Sequence, residues 1–357
     1  MIGKWKTWLG VAISVAAIAW AARGVEWSEV LPALADADPW LLALVFVISP
    51  FVNILIRALR WKVFLRPVAR VSFAGATSAT AIGLMANNVL PARVGEFVRA
   101  YALGRKEQVP VATSFGGLFL ERLFDGFAVV GLLYGLTWVH EFPDWVSTTV
   151  QVAFYIFLGA LVFLVGLIVR PETSVRLARA VAGRLTDGRL EDPVERILAT
   201  LLDGFRLLRN PVLVLVSVIL ALVQWVLLTG LYWLGLIAFG VVDGVGWVGA
   251  FFVNCVATLG VAVPSSPGFV GTFEAFIVKG LEVFDVDRTR AFTYAIGFHA
   301  VSFIPITLVG FAVFLREGFS WRELERSEEE VEEELEEEFE EEIGRDVSQD
   351  RPGGDSR

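Results

Sequence analysis

Apolar residues run along this chain in blocks much longer than a half-buried helix or strand needs. They cover residues 8–22, 40–56, 73–90, 111–139, 145–169, 211–239, 245–280 and 291–315. Several exceed the ~20 apolar residues that carry a helix across hydrocarbon, so the pattern predicts an all-α, polytopic membrane protein. Two blocks are interrupted. In NNVLPARVGEFVRAY, Asn87–Tyr101, a proline and three charged residues come after an apolar run. In TLGVAVPSSPGFVGTFEAFIVKG, Thr258–Gly280, Pro264, Ser266, Pro267, Gly268 and Gly271 break the run. Proline lacks an amide donor and glycine is entropically costly in a helix, so helices are expected to stop at both places.

The distribution of Arg and Lys predicts orientation. The link after the first block sets Arg23 against Glu26, Glu29, Asp36 and Asp38 and reads as external. Arg57, Arg60, Lys62, Arg66 and Arg70 then occur with no acid among them and read as cytoplasmic. Arg93, Arg99, Arg105 and Lys106 come almost directly after residues 73–90, as if the chain had never crossed. Residues 73–100 are therefore expected to form a re-entrant hairpin, with Pro91 and Gly95 at its break, open to the cytoplasm. Residues 111–139 cross outward, 145–169 return, a cytoplasmic link spans 170–210, and 211–239 cross outward again. Residues 245–280 then form a second re-entrant hairpin open to the outside, and 291–315 return. The two halves, 40–139 and 211–315, share one plan with opposite polarity, and paired broken segments in inverted repeats point to a transporter's midplane site.

Composition sharpens this picture. Hydrophobic residues make up 55% of the 357, with 28 Phe and 12 Trp. The formal charge of −9 belongs to the end of the chain, because residues 317–357 hold 18 acids against 5 bases. The membrane body, 1–316, is net basic, and the tail 317–357 is expected to be cytoplasmic, solvated and disordered. Lys4 and Lys6 before the first block fit a cleaved signal peptide, but a retained helix with a cytoplasmic N-terminus better continues the alternating topology. Cys255 is the only cysteine and His140 and His299 the only histidines, which leaves no disulfide and disfavours a metal centre. No cofactor and no nucleic-acid partner are expected.

A charge at bilayer depth costs ~2.5–3.5 kcal/mol on insertion scales, so Arg93, Glu96 and Arg99 need partners or water. FLERLFDGF supplies Glu121, Arg122 and Asp125, with the two carboxylates one helical turn apart. Together these residues form an alternating-sign cluster, and Glu96 pairing Arg122 leaves Arg93 or Arg99 free for a phosphate, which a guanidinium binds through two parallel bonds. Asn87, Asn88 and Glu274 are further cavity candidates. Structural ion pairing is an equally good reading of the cluster. Arg57, Arg60 and Lys62 are expected to snorkel at the inner headgroup layer, Glu274 to meet Lys279 or a cavity, and His299 and Cys255 to be packing residues.

Three motifs in order carry a resemblance. Pro91, Arg93, Gly95, Glu96 and Arg99 form P-x-R-x-G-E-x-x-R; Glu121, Arg122 and Asp125 form E-R-x-x-D; Pro264, Ser266, Pro267, Gly268, Gly271 and Glu274 form P-x-S-P-G-x-x-G-x-x-E. In these the chain resembles the transmembrane region of lysylphosphatidylglycerol synthases, a flippase-like domain family. The resemblance implies a prokaryotic cell-membrane domain that moves a phospholipid with a modified headgroup, or that handles polyisoprenyl-linked sugars. The residues after Arg316 are too few for the synthases' aminoacyl-transferase domain, so synthase activity is not implied. The expected function is an anionic-lipid translocator with Arg93, Arg99 and Arg122 on the headgroup and Glu96, Glu121, Asp125 or Glu274 carrying protons. A membrane transferase, or an accessory subunit of a partner enzyme acting on a polyisoprenyl-linked sugar or phosphate, is the alternative.

Overall fold

The computed structural model describes residues 4–90, 94–169, 210–263, 265–324 and 326–327. All described elements are helical. Pro91, Arg93, Pro264, most of the 170–210 link and the acidic run from 328 onward lie outside the described residues.

Helix α1 (Lys4–Ala21) and the short α2 (Trp27–Ala35) precede α3, which runs Pro39–Leu65 through a π-helical stretch at Phe51–Ile56. Next come a hairpin of α4 (Phe73–Val89) and α5 (Gly95–Glu107), the long α6 (Val111–Leu136) and α7 (Asp144–Val169). Beyond the undescribed link lie α8 (Pro211–Ala238), a second hairpin of α9 (Gly246–Ala262) and α10 (Thr272–Glu282), and α11 (Arg288–Arg316). Four described helices are long and apolar enough to cross a membrane: α3, residues 144–162 of α7, α8 and α11. The protein is a multi-pass membrane protein.

Local chemistry sets the boundaries. Helices α3 and α8 start with the same device, a proline at the first turn behind a capping side chain. Asp38 accepts from the amides of Trp40 and Leu41 at 2.8 and 3.1 Å, and Asn210 from those of Val212 and Leu213 at 3.1 and 3.2 Å. Within α3, Asn53 Nδ2 donates to the Ser49 carbonyl at 3.0 Å, the acceptor that a regular α-turn reserves for the Asn53 backbone amide. The widened turn sits there, directly after Pro50.

The two helix quartets, α3–α6 and α8–α11, repeat one scheme of neighbours. Helix α3 touches α4 and α6 as α8 touches α9 and α11; α4 touches α5 as α9 touches α10; α5 touches α6 as α10 touches α11. Across the quartets α3 meets α8, α4 meets α11, and α6 meets α9. Helix α7 packs on α6, and α1 on α10. The first hairpin is tight because glycines face each other: a Cβ on Gly95 would stand 2.2 Å from the Gly83 carbonyl oxygen, and one on Gly83 2.6 Å from that of Gly95.

Part of the acidic tail departs from the solvated expectation. Directly after α11, Glu317 pairs with Lys106 and accepts from Ser78, Glu323 pairs with Arg105 at 2.6 Å, and Phe319 lies under the Arg105 guanidinium. Leu324 is fully buried. Residues 317–324 thus strap the end of the second quartet to the first hairpin, because α5 ends in bases that meet these acids.

Gly95→Ala must push α5 off α4 and is expected to cost about 1–3 kcal/mol, seen as a lower melting temperature in detergent; an unchanged melt would contradict the close approach. The strap has a pH signature. The Lys106 hydrogen bond, helped by Ser78 and opposed by partial burial, holds Glu317 below its ordinary carboxylate range, and Ser320 does the same for Glu323. Stability from a depressed carboxylate is present above the unfolded value, ~4.3 for Glu, and is lost as pH falls through the folded one. A spin label at exposed Arg322→Cys should therefore gain mobility only below that range, with the buried Cys255 left unlabelled.

Candidate functional site

The two helix breaks meet. Asn87 and Asn88 end α4; Asn87 Oδ1 accepts from the Gly95 amide at 2.8 Å and so holds the start of α5, and Asn88 Nδ2 donates to Thr307 of α11 at 2.8 Å. The second break, residues 263–271, turns through Gly268 at φ +68° and Gly271 at φ +94°, where only glycine is unstrained. Its turn from Pro267 to Phe269 packs against α4, and a Cβ on Gly268 would stand 3.4 Å from the Asn88 carbonyl. Ser14 of α1 supports the outer side, accepting from the Ser266 amide at 2.8 Å, while Gly271 lies against the Ser14 carbonyl.

Beside the two breaks lies a cavity of about 540 Å³. One end is polar, lined by Asn53, Arg57, Asn87, Glu96, Arg122 and Asp125. The remaining walls are mostly apolar, Leu133, Phe157, Leu231, Phe269, Phe273 and Phe298 among them, with Asn254, Thr258 and Ser302 as polar exceptions. An amphiphile fits such a division, with its polar end at the arginines and a chain along the apolar flank.

The charges form one network on α6. Glu121 is fully buried; Arg99, 3% exposed, meets it at 3.3 Å, donates to the Arg57 carbonyl at 3.2 Å and stacks over Trp61 at 4.3 Å. Arg122 lies 3.0 Å from Glu121, 3.5 Å from Glu96 and 3.6 Å from Asp125. Asp125 also binds Arg60 at 2.6 Å, and Arg60 donates to Gln224 of α8 at 2.8 Å. Among the described residues, four arginines (57, 60, 99, 122) therefore face three carboxylates (96, 121, 125), one positive charge more than the carboxylates match. Arg57 has no hydrogen-bonded or ion-paired side-chain partner among the described residues, and its Nε is buried without an acceptor. Arg57 and Arg122 offer donors to the cavity; a phosphate or carboxylate is the group that a pair of such forks accepts.

Several expectations change here. Arg99 is engaged by Glu121 and Trp61 and is not among the residues that line the cavity. Arg60 does not snorkel: a carboxylate and an amide are available at its depth, so its side chain turns inward and is fully buried. Arg57 turns to the cavity instead of the headgroup layer. Glu274 does not meet Lys279, since five residues place two helical side chains about 140° apart. Lys279 pairs with Glu282 at 3.2 Å, and Glu274 with His299 at 2.5 Å, so His299 is more than packing. Cys255 is buried among apolar side chains of α6–α9. The sequence reading missed Arg57, Gln224 and Asn53. The available signal was a lone amide within each apolar run and the three-residue spacing of Arg57 and Arg60, which puts them on one helix face. Among the described residues no group of three metal-ligating side chains occurs.

The family model described as lysylphosphatidylglycerol synthase TM region matches residues 7–310, which holds the first quartet, the second up to the last turns of α11, and the cavity. The chain belongs to this family. Within curated proteins it is similar to glycosyltransferase AglD of Haloferax volcanii, 29% identical over 84% of this chain and 52% of that protein. The chain thus spans about half the length of that relative. It is also similar to UPF0104 membrane protein MJ1078 of Methanocaldococcus jannaschii, at 24% over 64% of this chain and 92% of the relative. A UPF0104 membrane protein of Methanothermobacter thermautotrophicus aligns at 23% over 85% and 93%. No solved structure matches the chain.

Removing one partner of a buried pair leaves an uncompensated charge, at ~3–5 kcal/mol. Arg60→Met is expected to destabilise the protein by that order, and the added Asp125→Asn to return part of the loss. Equal melting of Arg60→Met and wild type would show that the pair holds nothing.

Proposed function

We propose that this protein translocates an anionic lipid across the cell membrane, receiving the headgroup at Arg57 and Arg122 while the chains stay along the apolar flank. The observation that carries this reading is the cavity beside two touching helix breaks, with guanidinium donors of Arg57 and Arg122 in its wall. In this reading α4–α5 and α9–α10 are re-entrant hairpins of inverted halves, and residues 1–316 act as one translocation domain. The matching neighbour schemes of the quartets support it, as does the alternation of basic and acidic links. The N-terminus and the tail after Arg316 are cytoplasmic. Rocking of one quartet against the other exposes the cavity to each side in turn.

A second reading is favoured by the likeness to a protein named as a glycosyltransferase: the same cavity holds a polyisoprenyl-linked sugar or phosphate for a membrane transferase or for a partner enzyme. The two separate on one measurement, since a transferase changes the mass of a labelled lipid and a translocator only its leaflet.

In proteoliposomes holding headgroup-labelled phosphatidylglycerol, Arg57→Gln and Arg122→Gln are each expected to slow headgroup movement about 10–100-fold, the equivalent of one charge-assisted hydrogen bond of ~1.5–3 kcal/mol. Wild-type rates in both variants would refute the headgroup assignment.

A further inference from the structure

Glu274 and His299 form a second buried polar site, one side-chain layer behind the cavity. Glu274 is 4% exposed and His299 8%. Both carboxylate oxygens are engaged: Oε2 accepts from the Gly271 amide at 2.6 Å, and Oε1 stands 2.5 Å from His299 Nδ1. The imidazole is held between Phe273 and Phe303, ring centroids 4.4 and 4.3 Å away, and both phenylalanines line the cavity.

Proton bookkeeping on this pair is constrained. One proton lies between Oε1 and Nδ1, whichever atom carries it. Nε2 is the remaining position. With a proton on Nε2 the pair is neutral; without it, one negative charge is left in an apolar layer, which that layer penalises.

Among the described residues no neighbouring charge takes over the task. Helix α1 presents no titratable side chain from Trp8 to Ala21, and α4 none along its length. Glu29 of α2 is exposed, and Arg57 and Arg60 of α3 belong to the α6 network. Tyr294 donates to the Tyr232 carbonyl, and Cys255 of α9 packs in an apolar cluster. Lys279, Glu282 and Arg288 pair among themselves at the far end of α10, and Arg290 donates to the Gly240 carbonyl.

Glu274 also pins the second break through Gly271, and that break touches Asn88 at the first. Charge on the pair and position of the break are therefore linked. We propose that Glu274 and His299 are the proton-coupling site of this protein, exchanging one proton at the imidazole each time the second break moves against the cavity. The proposal rests on the translocator reading. It also sets aside Glu96, Glu121 and Asp125 as proton carriers, since each is already paired with arginine.

The test uses the two-histidine composition. In His140→Gln protein with labelled histidine, the one remaining imidazole signal is expected to titrate in a single step, with a midpoint that moves when Glu274→Gln is added. A signal that stays flat wherever the protein is folded overturns the proposal. In phosphatidylglycerol vesicles, an imposed pH gradient is expected to change the wild-type rate of headgroup movement several-fold and to leave that of folded His299→Gln and Glu274→Gln unchanged. If wild type moves lipid and both variants respond to the gradient as it does, the coupling claim alone falls. If wild type moves no lipid with or without the pH gradient, the translocator reading falls and the coupling claim with it.

Discussion

The exchange of charge between α6 and the three helices around it is the constraint on which this architecture turns. Glu121, Arg122 and Asp125 sit in the middle of a 26-residue helix whose remaining residues suit hydrocarbon. Each charge is tolerable there only with a partner, and the partners come from separate elements: Arg99 from the first hairpin, Arg60 from α3, and Gln224 beyond it from α8. One short acidic–basic stretch thereby fixes the positions of α3, α5 and α8 around α6. The same constraint explains why the Arg57 guanidinium, which lines the cavity beside Arg122, has no carboxylate of its own among the described residues.

Short helices ending in mid-protein create the space that this network borders. Backbone that stops being helical inside the protein needs other groups to satisfy it, and here each break is shielded by the other and by side chains. Asn87 caps one break from within its own hairpin, and Glu274 does the same for the other at Gly271. Ser14 of α1 closes the outer face of the second, a supporting role that the first quartet assigns to no separate helix among the described residues.

The long helices were legible from apolar run length, and the two breaks from Pro91, Pro264, Pro267 and the glycines, because these are properties of single segments; α2 and α5 fall outside every apolar block and were not. The cluster on α6 was legible because charge within an apolar run is conspicuous. Which arginine faces the cavity was not, since that depends on helix phase. Arg57, Arg60 and Lys62 look like a basic fringe when counted from the preceding apolar block, and the widened turn at Phe51–Ile56 had no signature strong enough to move that boundary. The pairing of Glu274 with His299 was hidden for another reason: 25 residues and a change of helix separate them. Sequence distance suggested Lys279 instead.

That widened turn makes the angular setting of α3 depend on a single residue. An α-helix advances about 100° per residue, so removing one position between 51 and 56 would keep the helix long enough for the bilayer yet swing Arg57 and Arg60 a quarter-circle away from their present neighbours. The segment works as a phase adjuster: its upper part answers to the lipid boundary, its lower part to the charged interior, and the slack between those two demands is taken up in one turn.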